Sequence, residues 1–412
     1  MDKTKGFIPD GVEDINSLEF GMKDRVIEDI NRVFRSFGYK QILTPTFEYY
    51  DLFNDIEGTI APEEMFKFID RHGKILVLRP DVTIPIARMG LASYKQKKEA
   101  VKFSYSTSVY RMQSGENAGK AEFIQSGVEF LGESEIDADA EAIVIAIKSL
   151  LECGFKDFKI DIGEASYFKA LIDETKLTIL EINDIKKYIE AKNFTGLEFY
   201  LEGINIEEKT KNVFLKLPML YGKVDNVAQK AKDLCLNEKM EKAIESLLRI
   251  YEAVKEYGFE KYILADLGLV SHINYYTGLV FKGYVNRYGK EVLGGGRYDN
   301  LTKSYGEYMP STGFAINIDS VIDAMKVNSL FANEVEGIDY GILYTNENRK
   351  EAIRAATILR DRGYTVDTRK INNNESSMQG YKKVILIKDK IYTKQEDGNN
   401  IYDNIKEFLK DI

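Results

Sequence analysis

Apolar residues recur at spacings of three and four along residues 19–37. Met22, Val26, Ile30, Val33 and Phe37 make one stripe, the pattern of an amphipathic helix. Gly38 follows as its C-cap. The next stretch, YKQILTPTFEYY (39–50), is rich in β-formers, and Pro45 forces an extended or edge position. Strands are expected at 75–79, 102–111 and 121–131, a helix over 137–152, and a strand at FKIDIG (158–163). Residues 164–258 are mostly helix-like and read as an insertion between strands. Strands resume at 262–268 and 275–285, followed by a turn at GGGRYD (294–299), a short strand GFAINI (313–318) and a helix from Asp319. Strands with helices grouped between them predict an α+β domain built on an antiparallel sheet. Residues 327–337 read as a linker, and 338–412 as a small α/β domain of β-α-β type with a final helix.

Alternation along 121–131 places Ile124, Ser126, Val128 and Phe130 on one face, and Gln125, Gly127 and Glu129 on the other. The first is a core face. The second is polar, with a glycine gap between an amide and a carboxylate, and either faces solvent or lines a pocket. LRPDVTIPIAR (78–88) reads as a polar loop carrying Arg79, Asp81, Thr83 and Arg88 around two prolines. GGGRYD permits a tight turn or close backbone approach, but is not a phosphate-loop pattern. DLGLVSHINYYTGLVF (266–281) places two tyrosines and a glycine in a strand-like run, with Ser271, His272 and Asn274 as the polar groups before them.

Composition narrows the chemistry. A chain of 412 residues with 44% hydrophobic and 30% charged residues is an ordinary globular protein of two or three domains. Its net charge of −9 disfavours a general affinity for polyanions. Two histidines (His72, His272) and two cysteines (Cys153, Cys235) make a zinc site or a Ser-His-Asp triad a poor fit. The cysteines read as buried free thiols in a reducing compartment. MDKTKGFIPDGVED has no apolar core of a secretory signal, and the run AIVIAIKSLL (142–151) is too short to span a bilayer. A cytoplasmic location without membrane attachment is expected.

In order, FGYKQILTPTFE, LRPDVTIPIAR, SVYRMQ, EFIQSGVEFLG, NYYTGLVF, GGGRYDNL and GFAINID resemble the histidyl-tRNA synthetase family of class II aminoacyl-tRNA synthetases, from about residue 10 to 325. The resemblance implies a class II antiparallel sheet over 1–326 with flanking helices. It also implies a shortened anticodon-binding-like domain over 338–412. It further implies an amino-acid pocket in which Asp81, Thr83 and Gln125 face an α-ammonium. Glu129 and Tyr276, with Tyr275 beside them, address an imidazole, and Arg111 remains for the carboxylate. Asp81 is shorter than the family's usual glutamate.

The departures fall on the ATP side. The family's arginine in a run like R-G-L-D-Y-Y is Ser271 here, and its terminal Glu-Arg pair is Asp319-Ser320. Its Arg-x-Glu is Arg111-Met112-Gln113, and the loop that follows offers only Lys120. Adenylation builds negative charge that fixed cations must stabilise, and losing one such group costs a few kcal/mol of barrier. This pattern resembles the regulatory subunits of ATP phosphoribosyltransferase, which are synthetase-like and non-catalytic. They pair with a short catalytic chain, take part in feedback inhibition by L-histidine, and form dimers within hetero-octamers. No cofactor or metal is expected. Binding of tRNA is not favoured, since residues 336–412 hold 14 Lys/Arg against 13 Asp/Glu. A synthetase-like protein with another role, such as tRNA or amino-acid sensing, stays open on the sequence. An active synthetase would require the missing cations.

Overall fold

A computed structural model of the chain describes residues 7–54, 60–97, 99–112, 120–270, 275–331, 338–371, 380–395, 398–408 and 410. Ser271, His272, Asn274 and Gln113, and most of INNNESSMQG (371–380), lie outside the described residues. The chain divides into two compact units, 1–330 and 331–412.

The first unit is built on a nine-stranded sheet. Its order is 40–41, 101–110, 122–131, 311–317, 291–297, 279–285, 158–164, 263–266 and 221–222. The central strands are antiparallel. The pairs 40–41 with 101–110 and 158–164 with 263–266 are parallel, so the sheet is mixed. A separate three-stranded sheet has Ile75–Leu78 at its centre, flanked by Phe47–Tyr49 and Lys67–Ile69.

Helices cover one face of the large sheet. Ser17–Ser36 is capped by Asn16, whose side chain accepts from the Leu18 and Glu19 N–H groups. Gly38 follows with a left-handed φ of 82°. Val26, Ile30, Val33 and Phe34 are the buried apolar residues, and Phe34 meets Phe314 of the sheet edge-on at 6.1 Å. Phe34 thus fills the core position that periodicity gave to Phe37. The helix turns that side toward the sheet and leaves Phe37 partly exposed. Ile136–Glu152 packs between this helix and the long helix Glu238–Glu256. Six helices between 165 and 256 separate the strands 158–164 and 263–266.

Two expectations of irregular structure are corrected. Residues 294–297 are not a turn but the end of the strand Glu291–Arg297, paired on both sides. A side chain at Gly296 would sit 2.2 Å from the Leu279 carbonyl and 2.9 Å from the Tyr276 ring, so glycine here permits close packing within a strand. Residues 78–88 are not a loop throughout. A helix, Thr83–Lys97, starts inside them, with Pro85 in its first turn, where a missing N–H costs nothing. Tyr275 and Tyr276 precede their strand, which begins at Leu279. Cys153 is buried and Cys235 only half-buried, and both are free thiols.

The second unit is a five-stranded sheet in the order 366–370, 338–344, 381–387, 391–395 and 398–402. The helix Arg349–Asp361 packs on it through Ala352, Ala355, Ala356 and Leu359. The hairpin 391–402 extends the β-α-β unit that the sequence pattern predicts. No helix among the described residues is long and apolar enough to cross a membrane.

Candidate ligand pocket

The polar face of the strand Glu122–Leu131 is covered, not solvated. Glu129 is 1% exposed and Gln125 9%. Both line a cavity of about 320 Å³ together with Asp81, Thr83, Arg111, Tyr275 and Tyr276. All seven candidate residues therefore meet in one place, although they come from four separate stretches of chain. A volume near 300 Å³ suits a small ligand.

Glu129 is the most constrained group. Its Oε1 accepts from Thr83 Oγ1 at 2.6 Å, and its Oε2 accepts from the Tyr298 hydroxyl. Register places Gly313 directly opposite, and a Cβ there would lie 2.1 Å from Glu129 Oε2. Glycine at 313 is thus a condition for Glu129 to sit where it does. Burial pushes the Glu129 carboxyl up to about 8, and the two hydroxyl donors only partly offset this. Thr83 positions Glu129 in addition to lining the cavity.

Asp81 caps the helix that begins at Thr83, with Oδ1 accepting from Ile84 N–H at 3.0 Å. Burial raises its pKa, opposed by the nearby Arg111. Arg111 Nε donates to the Pro80 carbonyl at 2.7 Å, and its guanidinium lies 5.5 Å above the Phe123 ring. Arg79 and Arg88, in the same sequence segment as Asp81, serve structure. Arg79 donates to the Thr44 and Ser108 carbonyls at 2.7 and 2.8 Å, and Arg88 pairs with Glu48 at 2.6 Å.

The tyrosines form a cluster. Tyr275 stacks on Tyr298 at 5.4 Å and meets Tyr276 edge-on at 5.1 Å. Their loop is anchored on both sides: Lys169 Nζ donates to the Tyr276 carbonyl at 2.5 Å, and Thr277 N–H donates to the Arg297 carbonyl at 2.7 Å. Arg297 is buried and paired with Asp139 at 2.8 Å. Tyr298, Lys282, Glu291 and Asn317 also line the cavity and went unassigned in the sequence. For Tyr298 no signal was legible, since the glycines before it carry no side-chain pattern and it lies just past the strand Glu291–Arg297.

The other end of the same strand pair, 122–131 with 311–317, differs. Asp319, in the first turn of the helix Ile318–Val327, is buried and pairs with Lys23 at 2.6 Å and Lys120 at 3.1 Å. It also accepts from the Ile124 N–H at 3.1 Å. Burial acts to raise its pKa, but Lys23, the Ile124 N–H and Lys120 outweigh that and hold it below the ordinary value. Lys120 is held by Glu13 as well. Ser320 donates its N–H to the Asn317 side chain at 2.9 Å. Lys120 is thus engaged inside the fold. No group of three or more His, Cys, Asp or Glu side chains able to hold a metal occurs among the described residues.

A sheet of this order, with an amino-acid-sized pocket on its polar face, defines a class II synthetase-like protein. The family model for histidyl-tRNA synthetase matches residues 11–321. Histidyl-tRNA synthetase from Nostoc sp. PCC 7120 shares the fold, with a TM-score of 0.78 at 18% identity over 98% of this chain and 99% of that one. Within this class the similarity is more specific. The chain is 38% identical to an ATP phosphoribosyltransferase regulatory subunit of Clostridium kluyveri, over 89% of this chain and 94% of the relative. It is 36% identical to the one of Ruminiclostridium cellulolyticum, over 98% and 96%. A solved structure from Bacillus halodurans, described as an ATP phosphoribosyltransferase regulatory subunit/histidyl-tRNA synthetase, matches with a TM-score of 0.82 at 31% identity. It covers 92% of this chain and 98% of that one. The chain belongs to the family of ATP phosphoribosyltransferase regulatory subunits.

Proposed function

We propose that this chain does no chemistry itself, and that it activates a short-form ATP phosphoribosyltransferase catalytic chain and conveys feedback inhibition by L-histidine. One observation carries the reading. The pocket on the amino-acid side holds buried, convergent polar groups, while Lys120 and Asp319 on the phosphate side are joined to each other. A site that stabilises a pentavalent phosphate needs cations aimed outward at the ligand.

In this reading histidine occupies the cavity around Glu129. Asp81 and Gln125 take the α-ammonium, and Arg111 takes the carboxylate. Glu129, oriented by Thr83 and Tyr298, takes one imidazole nitrogen, and the Tyr276 hydroxyl takes the other. Tyr275 supplies ring contact. The chemistry suits a ligand with one cationic, one anionic and one amphoteric group.

Self-association as a dimer is part of the proposal. Phe47, Tyr49 and Phe68 share one face of the three-stranded sheet and are 54%, 50% and 40% exposed. Phe47 and Phe68 meet edge-on at 5.9 Å. Leu43 nearby in sequence is 75% exposed. A contiguous apolar patch of this kind marks an interaction surface.

The test has three arms. Calorimetric titration is expected to show histidine binding to this chain. Turnover of a short phosphoribosyltransferase is expected to rise when the chain is added, and histidine to suppress it. Histidine-dependent ATP–pyrophosphate exchange is expected to be absent, and to stay absent after Ser320→Arg, because the cationic positions act as a unit. Equal turnover with and without this chain, at saturating substrates, overturns the regulatory reading. Detectable exchange overturns the non-catalytic one.

A further inference from the structure

We propose that the cleft between Asp161, Asp266 and the helical insertion is a second ligand site, suited to a small molecule carrying an ammonium or guanidinium group. The cleft has a volume of about 720 Å³ and lies entirely within the first unit. Its floor is the sheet: Asp161 on the strand 158–164, Lys282 and Tyr284 on 279–285, and Asp266 at the end of 263–266. Its wall is the insertion, through Lys192 and Tyr221. Register sets Lys282 opposite Asp161, so the cleft continues the face that carries the Glu129 pocket.

Two buried carboxylates here lack sufficient positive charge. Asp161 is 7% exposed, and its Oδ1 has no hydrogen-bond partner. Asp266 is 5% exposed; Oδ1 accepts from the Gly268 N–H at 2.8 Å, while Oδ2 has Lys192 Nζ only at 3.4 Å. The other two lysines lining the cleft act on these carboxylates only through space and make their direct contacts elsewhere. Lys159 donates to the Lys261 carbonyl at 2.6 Å, and Lys282 pairs with Glu291 at 2.7 Å. Burial, reinforced by the charge of Asp266 and only partly offset by Lys192 and Lys159, pushes Asp161 up to about 6. An orphaned buried carboxylate oxygen costs free energy that a donor from a ligand would restore.

The chemistry selects an organic cation. Two carboxylates supply acceptors for several N–H donors. Tyr221 and Tyr284 add aromatic surface, and Lys192 Nζ already lies 4.5 Å above the Tyr221 ring, which shows that the wall accepts a cation. Lys192, about half exposed, occupies the place such a ligand would take beside Asp266. The inference does not rest on histidine binding at Glu129.

The experiment is calorimetric titration of the full-length chain with agmatine, 1,4-diaminobutane, arginine and lysine, with citrulline and 1,4-butanediol as neutral controls. At least one cation is expected to bind with one-to-one stoichiometry, and the neutral controls not to bind. Asp161→Asn, checked by thermal melting, is expected to weaken binding about tenfold or more, the loss of a charge-assisted hydrogen bond. Lys192→Gln is expected to strengthen it several-fold by removing the internal competitor, a gain that a merely structural carboxylate pair would not produce. Glu129→Gln is expected to leave it unchanged, which separates this site from the first pocket. Kd values weaker than about 10 mM for every cation would overturn the proposal. So would equal binding to Asp161→Asn, weakened binding to Lys192→Gln, or loss of binding in Glu129→Gln.

Discussion

Two buried carboxylates at one strand pair, 122–131 with 311–317, have opposite fates. Asp319 is ringed by Lys23, Lys120 and a backbone N–H, and its pKa lies below the ordinary range. Glu129 has only the Thr83 and Tyr298 hydroxyls, and its pKa rises to about 8. The first carboxylate is satisfied by the fold. The second is placed at high cost in a cavity, with two of its four lone-pair positions unspent. The difference separates a carboxylate neutralised within the fold from one that lines a cavity.

The comparison breaks first at Asp319. Asp319→Ala leaves Lys23 buried without its partner, and removing one member of a buried pair costs about 3 kcal/mol or more. Urea unfolding is expected to show that loss with histidine affinity little changed in the protein that remains folded. A neutral effect would show that the network is not structural.

The two carboxylates also diverge with pH. The Glu129 carboxyl is raised from 4.5 to about 8 on folding. The native state then binds more protons than the unfolded chain between those values. Its contribution to stability is complete below about pH 4.5 and is lost as pH rises to about 8, by an amount on the order of a few kcal/mol. Asp319, held low, contributes above the ordinary carboxylate range and loses its share only in acid. Unfolding measured across pH 5 to 8 is expected to show wild type declining relative to Glu129→Gln. Parallel curves would mean that Glu129 is ionised throughout.

Histidine affinity gives a smaller effect. Measured above about pH 8, where Glu129 is ionised, Glu129→Gln is expected to weaken binding about tenfold or more, the value of one charge-assisted hydrogen bond of about 1.5–3 kcal/mol. Unchanged affinity in a folded variant would place histidine elsewhere, most simply at the surface shared with the catalytic chain. Tyr276→Phe removes one hydroxyl but keeps the ring, and a loss of only a few-fold is expected. A loss as large as that of Glu129→Gln would make Tyr276 the main anchor.

Much of this was legible along the chain. Strand periodicity put Gln125, Gly127 and Glu129 on one face, and the resemblance to the synthetase family implied that Asp81, Thr83, Arg111, Tyr275 and Tyr276 join them. Three features were not. The Gly294–Gly296 run carries no side-chain pattern, so it reads as a turn although it pairs on both sides. Tyr298 was obscured with it. Phe34 and Phe37 stand three apart on the first helix, and spacing alone does not decide which one the sheet buries.

The sequence by itself determined most elements, their order and the two faces of the strand Glu122–Leu131, because those follow from local periods of 2 and 3.6 residues, but not the helix Thr83–Lys97 or the strand Glu291–Arg297. Only the tertiary structure decided the upward shift of the Glu129 pKa. Its burial and its two donors come from residues 46 positions before it and 169 after it. Tertiary packing likewise decided that Lys120 is spent on Asp319 and that Asp161 is left with an unpartnered oxygen. Desolvation and pairing depend on what covers a side chain in space, and no local pattern in the chain records that.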